Sequence, residues 1–347
     1  MDNQVMKILY LIPDFEEGGA EMHVLNLIKA LSKRGHVITL ATSGGRLEKE
    51  LPEGVKVIHL PVGKKNPLTG ISCAFKLARL DKKFQWNLIH AHSRVPAWIA
   101  WILSGLRKIK WLMTAHALYS LNAGIIPFKH ADGVICVSEA VRTHLKNFLP
   151  ENSIVIQNGI EAPKFFYKDF SHAHKGPKKF LAVGRLTRLK GLDVALRALS
   201  ELKNFEWSFD ILGEGPQREE LENLSRSLGL ENRVKFHGNK NKIDVEKFMS
   251  GSSCLLFPSY QEGMGLVVLE ALACGLPVIA SDLEALKEIS TGKLIPAGDI
   301  YKWKEAIKNF LTDSVACEFD PGKVKTIQDM ATATEKFYLI ASTVYSL

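Results

Sequence analysis

The sequence predicts an α/β protein made of two parallel-sheet domains, and three observations carry that prediction. Short apolar runs of strand character alternate with amphipathic helical patterns along most of the 347 residues, the alternation that places helices on both faces of a parallel sheet. Several of these runs end in glycine-rich turns that open a helix. Near mid-chain, residues 159–177 form a polar link punctuated by proline and glycine, with no sustained period. The length suffices for two domains of ordinary size, and 46% hydrophobic with 24% charged residues is a globular composition.

In chain order, the run from Met6 to Pro13 is a first strand, followed by the Gly18-Gly19 turn and an amphipathic helix from about Ala20 to Arg34. A strand, a glycine turn and a helix can cradle a phosphate on the first N–H groups of the helix, although a lone glycine pair most often marks only a tight turn. Further strands are expected at His36–Thr42, Val55–Pro61, Asn87–His92, Trp111–His116, Gly133–Ser138 and Ser153–Gln157. His90, His92 and His116 fall at strand carboxyl ends, where doubly wound sheets bind ligands. The pair His90 and His92, with no third ligand nearby in sequence, argues against a metal site. Residues 75–84 and 98–111 mix aromatic and basic side chains, as in a membrane-interface helix or a core-facing helix with a solvated edge.

The second half opens with a strand at Phe180–Val183 and the loop Gly184-Arg185-Leu186-Thr187-Arg188-Leu189-Lys190-Gly191, whose two cations five apart suit a diphosphate. Trp207–Leu212 is the next strand, and Pro216 is expected to open the following helix. Gly213-Glu214-Gly215 invites a dinucleotide reading, which Arg218 in place of a third glycine rejects. Val234–Gly238 ends another strand. Ser253–Phe257, closed by Pro258, reads as a buried parallel strand, and Leu266–Cys274 as an apolar helix stopped by Gly275 and Pro277. Between them lies Glu262-Gly263-Met264-Gly265, and Glu270 sits alone as a charge inside the helix. A buried carboxylate requires hydrogen-bond donors, which an arginine, a backbone amide or the hydroxyls of a sugar can supply. Ile327–Ala341 has helical spacing and suits a closing helix that crosses back to the first domain.

The block from Glu262 to Glu270, with its flanking Ala-Leu-Ala-Cys-Gly-Leu-Pro-Val-Ile-Ala-Ser, resembles the Glu-x7-Glu signature of retaining nucleotide-sugar glycosyltransferases of the glycogen-synthase-like and sucrose-synthase-like family, glycosyltransferase family 4 or group 1. Gly-Arg-Leu…Lys-Gly at residues 184–191 matches the same family, and the likeness covers nearly the whole chain. The resemblance implies the GT-B fold: two Rossmann-like, doubly wound domains facing across a cleft. It implies an acceptor domain at residues 1–170, a donor domain at 171–325, and a returning helix at 326–347. It assigns Arg185 and Lys190 to the donor phosphates, Gly18 and Gly19 to the diphosphate and transferring sugar, and His116 to the donor sugar. Glu262 would bond sugar hydroxyls and Glu270 the ribose, with Gly263, Met264, Gly265, Leu266 and Val267 contributing donor contacts. His237 and Gly238 are expected under the base, acting mainly through backbone groups. The residues after Ala280 lack the extra glycine-rich residues usual in the family, which bears on donor-sugar preference.

The expected activity is transfer of a hexosyl group from a nucleoside-diphosphate sugar, a UDP-sugar first, to an acceptor hydroxyl with retention, the acceptor a glycan or lipid of the cell envelope such as lipopolysaccharide. An epimerase or hydrolase of the same fold, a small soluble acceptor, and a sugar-nucleotide sensor without turnover are the alternatives. No Asp-x-Asp occurs, so no metal–diphosphate ligand pair is expected and neither metal nor cofactor is called for. The five cysteines are odd in number and far apart, which suits core hydrophobes rather than disulfides. Residues 1–172 hold 22 Lys and Arg against 14 Asp and Glu, and residues 173–347 hold 23 against 23, so the whole +8 lies in the first half. That asymmetry can attract an anionic surface, such as a membrane, or an anionic substrate, although a scattered basic surface is usually only a solvated face; nucleic acid is not expected as a partner. Without a signal peptide or a membrane-length apolar run, the expected location is cytoplasmic, on or near the inner membrane face.

Overall fold

The computed structural model describes residues 5–16, 18–161, 176–289, 294–312 and 324–343. Most of the expected link at 159–177, the segment 290–293, Cys317 and residues 1–4 and 344–347 lie outside the described residues. Two compact units result: Met1–Gly159 with Lys325–Leu347, and Ile160–Val324.

The first unit runs β1 (Lys7–Leu11), α1 (Gly19–Lys33), β2 (Val37–Thr42), β3 (Lys56–His59), α2 (Pro67–Phe84), β4 (Leu88–His92), α3 (Arg94–Arg107), β5 (Lys110–Ala115), β6 (Gly133–Cys136), α4 (Glu139–Leu145) and β7 (Ser153–Val155). All seven strands pair in parallel in the order β3-β2-β1-β4-β5-β6-β7. Strand order reverses between β1 and β4, which makes that junction the switch point at which such sheets open a crevice. Every residue of β4 is buried, as expected of a central strand covered on both faces. Asn66 starts α2 by accepting the amides of Leu68 and Thr69, with Pro67 as first helical residue.

The second unit runs β8 (Lys178–Val183), α5 (Leu192–Ser200), β9 (Trp207–Leu212), α6 (Arg218–Ser227), β10 (Val234–Phe236), α7 (Lys242–Gly251), β11 (Cys254–Phe257), α8 (Leu266–Ala273), β12 (Val278–Ser281), α9 (Glu284–Lys287), β13 (Leu294–Ile295) and α10 (Ile300–Thr312). Its strands are parallel in the order β10-β9-β8-β11-β12-β13, with the switch point between β8 and β11. Phe180, Trp207, Phe209, Leu256, Trp303 and Phe310 fill its core.

The last helix, α11 (Ile327–Thr343), packs in the first unit, where Met330, Phe337 and Tyr338 join the core of β1 and α1. Thr326 and Asp329 cap it reciprocally: the Thr326 hydroxyl accepts the Asp329 amide at 3.1 Å, and the Asp329 carboxylate accepts the Thr326 amide at 2.9 Å. Glu335 on its outer face receives Arg34 at 2.6 Å and His36 at 2.9 Å.

Two expectations are corrected. Pro216 does not open a helix; α6 begins at Arg218, because the amide of Arg218 first closes a turn onto the Gly215 carbonyl. The aromatic and basic stretch 98–111 is not one surface: α3 ends at Arg107, and Lys110 and Trp111 belong to β5. Trp111 is 1% exposed and donates its indole N–H to the His130 carbonyl, while Lys110 pairs with Asp132 at 2.8 Å. Within α3, Ile99, Ala100 and Leu103 face the core and Trp98 and Trp101 are half-buried, the arrangement of a core-facing helix with a solvated edge.

Candidate functional site

The second unit gathers most of the residues singled out above at the carboxyl ends of β8 and β11. The loop after β8 carries Arg185 and Lys190, and the loop after β11 carries Glu262. The two loops interlock. The Tyr260 amide donates to the Leu189 carbonyl at 2.8 Å, and a Cβ on Gly191, whose φ is +60°, would fall 2.1 Å from the Pro258 carbonyl oxygen. Only glycine lets the backbones come this close. That packing brings Lys190 Nζ to 2.6 Å from Glu262 Oε1 and 5.1 Å above the Phe257 ring.

Gly184, Lys190, Leu212, Pro258 and Ser259 line a small pocket at this switch point. Ser259 is wholly buried, and its hydroxyl has no hydrogen-bond partner. A buried, unsatisfied hydroxyl on a pocket wall is available to a ligand oxygen. Sequence reasoning passed over Ser259; its only signal was its place directly after a buried strand and Pro258. Arg185 is exposed and pairs with no described carboxylate, so one cation here is engaged by Glu262 and another stands free.

Gly265 precedes α8 with φ +85°, and a Cβ there would strike Leu286 at 2.5 Å, so the turn places the helix start by a conformation that glycine alone accepts freely. Leu266 and Val267 are the first residues of α8, whose initial N–H groups have no partner within the helix. Met264 is buried, and Gly263 and Met264 complete the turn. Glu270 lies half-buried on the same helix and forms no side-chain hydrogen bond with any described residue. Burial pushes its carboxyl up to about 7, with Lys242 opposing and Glu246 adding to the shift. Neither an arginine nor a backbone amide therefore supplies the donors that this carboxylate requires among the described residues.

His237 and Gly238 are less open than expected. The His237 amide donates to the Ile211 carbonyl and its ring meets Asp210 at 2.6 Å, while the Gly238 carbonyl accepts from Gly213 at 2.8 Å. Backbone groups expected to face a base are in part committed to this bridge between β9 and β10.

Gly18, Gly19 and His116 belong to the first unit. Gly18 caps α1, and a Cβ on it would meet the Glu21 carboxylate at 2.2 Å. His116 follows β5, with its Nε2 2.9 Å from Nδ1 of His92. His23, four residues beyond Gly19, brings its ring to 4.8 Å from that of His116; its inward position on α1 was not singled out from the sequence.

Residues 17–163 match the family described as Glycosyltransferase Family 4, and residues 164–331 match Glycosyl transferases group 1. An uncharacterized glycosyltransferase of Methanocaldococcus jannaschii is 30% identical over 288 residues, covering 78% of this chain and 77% of the relative. Among solved structures, Anabaena HepE in complex with UDP and glucose superposes with a TM-score of 0.77 at 22% identity, over 99% of this chain and 100% of its own. The lipopolysaccharide outer core galactosyltransferase WaaB superposes with a TM-score of 0.75 at 18% identity, over 96% and 100%. Because the family matches run unbroken from residue 17 to residue 331, across both units, the chain belongs to the group 1 glycosyltransferases of family 4, and its fold is GT-B.

Proposed function

We propose that this glycosyltransferase moves a hexosyl group from a nucleoside-diphosphate sugar, with a UDP-sugar as first choice, to an acceptor hydroxyl with retention at the anomeric carbon. The observation that carries this reading is the meeting of Lys190 and Glu262 beside the pocket at the second switch point, with the free cation Arg185 on the same loop. As the glycosidic bond breaks, charge grows on the leaving diphosphate. Preorganised Arg185, Lys190 and the first N–H groups of α8 stabilise it without solvent reorganisation. Glu262 then accepts from sugar hydroxyls, Glu270 from the ribose, and the Ser259 hydroxyl bonds a diphosphate or sugar oxygen. In the first unit, Gly18 and Gly19 approach the diphosphate and His116 the sugar. No additional side chain is required as nucleophile, because the leaving phosphate oxygen can take the proton of the incoming hydroxyl on the same face. The chemistry requires no metal and no cofactor. HepE, whose structure holds UDP and glucose, supports the choice of donor.

The acceptor in this reading is a lipid-linked glycan or glycolipid of the cell envelope, in keeping with the WaaB likeness, and the protein works against the inner face of a membrane. No helix of the described residues is long and apolar enough to cross a membrane. The surface that supports docking is α2 rather than residues 98–111. Leu68, Ile71 and Phe75, at helical spacing, are 77%, 40% and 50% exposed, and Lys64, Lys65, Lys76 and Arg79 flank them. Apolar side chains framed by cations are the composition that an anionic interface attracts.

Screening UDP-, GDP- and ADP-sugars for protection against thermal unfolding tests the donor, since a bound donor raises apparent stability by mass action. Protection by a sugar nucleotide together with an α-linked product from an α-linked donor is the expected result. No protection by any of them removes the reading.

A further inference from the structure

Four histidines gather at the first switch point, and they are not equivalent. Both ring nitrogens of His90 are satisfied, by the Tyr338 hydroxyl at 2.6 Å and the Thr114 hydroxyl at 2.7 Å. His23 on α1, His92 at the end of β4 and His116 just after β5 are less complete. His23 Nδ1 meets Asn158 Oδ1 at 2.7 Å and His92 Nδ1 meets His116 Nε2 at 2.9 Å, which leaves the Nε2 atoms of His23 and His92 buried with no partner. An orphaned buried polar atom calls for an explanation, and the capacity to bind an ion is one. One ring nitrogen from each of these three residues lies within 4.8 Å of the others. The two histidines of β4 alone lacked a third ligand in sequence; the fold supplies it from α1 and from β5.

We propose that His23, His92 and His116 form a binding site for one divalent late first-row transition ion, zinc being the test case. The site shares His116 with the donor-sugar contact proposed above, is otherwise separate from the donor residues, and lies wholly within the first unit. Imidazole is the ligand that zinc and its neighbours share. The Asn158 oxygen accepts the His23 Nδ1 proton and so leaves its Nε2 as the lone pair, the outer partner that metal-binding histidines ordinarily have. Three nitrogens about 2.1 Å from one ion stand roughly 3.4 Å apart in tetrahedral geometry. Neutral His92 and His116 cannot both offer a lone pair while they share a hydrogen bond, so binding breaks their 2.9 Å contact and rotates both rings onto the ion. The ion would tie α1, β4 and β5 together at the crevice, with water in a fourth position.

The test uses the full-length chain without a polyhistidine tag, stripped with chelator, equilibrated with zinc or cobalt and passed over a desalting column. Expected are one equivalent of zinc per chain, a higher melting temperature with zinc, and a visible cobalt spectrum typical of nitrogen ligands. His23→Gln abolishes retention, and Asn158→Ala weakens zinc affinity by about 10–100-fold, as loss of an outer partner does. His59→Ala, which removes an exposed histidine paired with Glu48, leaves retention unchanged. If His23→Gln or Asn158→Ala fails to fold, the cobalt spectrum of the unaltered protein decides by itself. Absence of retained zinc and of a cobalt spectrum in the unaltered chain, or retention undiminished in folded His23→Gln, overturns the proposal and leaves a hydrogen-bonded imidazole cluster only.

Discussion

Lys190 and Glu262, 72 positions apart, meet at 2.6 Å although each arises from a different strand end. The pair is partly shielded, at 25% and 11% side-chain exposure, and each member was assigned to a neighbouring part of the same donor, phosphate and sugar. On the reading proposed above, their contact places the phosphate and sugar parts side by side before any ligand arrives. Lys190→Ala and Glu262→Gln are each expected to lower kcat/KM by an amount equivalent to about 1.5–3 kcal/mol, the worth of a hydrogen bond to a charged group. The melting temperature should move little, because a partly exposed pair contributes only about 0–1 kcal/mol. Steady-state kinetics beside thermal unfolding checks this, and unchanged kcat/KM in both variants would remove the pair from the site.

Arg185, exposed and unpaired among the described residues, is free to serve a ligand alone. Arg185→Ala should weaken donor binding by about 1.5–3 kcal/mol and leave unfolding untouched. Calorimetric titration with the donor found in the sugar-nucleotide screen reads the difference directly, and equal affinity would show that the phosphates lie elsewhere.

The Glu270 carboxyl, raised from 4.5 to about 7 by burial, makes stability depend on pH in the direction opposite to that of most acids. The folded state keeps a proton that the unfolded chain gives up, so this contribution is whole below about pH 4.5. It declines as pH rises toward about 7 and is level above, a change on the order of 3 kcal/mol. Glu270→Gln should flatten that slope while also weakening donor binding. Urea unfolding of both proteins from pH 4.5 to 8 tests it; parallel curves would mean that Glu270 is ionised throughout.

Gly191→Ala forces a side chain into left-handed backbone and onto the Pro258 carbonyl. The conformation alone costs roughly 1–2 kcal/mol, and the clash must part the two loops. Expected is a lower melting temperature together with loss of donor protection, since Lys190 and Glu262 no longer meet. Full donor protection in a destabilised variant would separate loop packing from binding.

Turnover is expected to persist in chelator at the untreated rate or above it. In the proposed mechanism cationic side chains and a helix start neutralise the diphosphate, and an ion on His116 would draw that ring away from the sugar. Loss of activity in EDTA, restored by magnesium or manganese, would contradict this.

Cosedimentation with vesicles tests the α2 surface. Binding to anionic vesicles at low salt, lost at high salt and reduced by Phe75→Glu, is expected, since each basic residue near such a surface contributes about 1 kcal/mol. A protein that stays in the supernatant with anionic vesicles points to a soluble acceptor.

Strand and helix placement was legible because buried parallel strands read as short apolar runs: Cys254–Phe257 needs no long-range information to be recognised. Local chemistry also marked Gly184–Gly191 and Glu262–Glu270. What could not be read is juxtaposition. Trp111 looks like an interfacial aromatic beside Lys108 and Lys110, and only the end of α3 at Arg107 turns it into the sheet. His23 and Ser259 carry no motif of their own, and their significance arises from β4, β5 and the pocket that the fold brings to them.

Tyr338 on α11 bonds Tyr10 at 2.7 Å and His90 at 2.6 Å, so the centre of the first unit is finished by a residue from the far end of the chain. A ribosome releases residue 159 and then works through the whole second unit before α11 emerges. At about 5–20 residues per second that interval is roughly ten to forty seconds. During it the second unit, continuous in sequence, has everything required to fold, while the first waits with an uncovered helix face and without the one hydroxyl that Tyr10 and His90 share. Nascent chains arrested before α11 should therefore yield a protease-resistant fragment from the second unit alone, and the amino-terminal half of the polypeptide should be the last to become resistant.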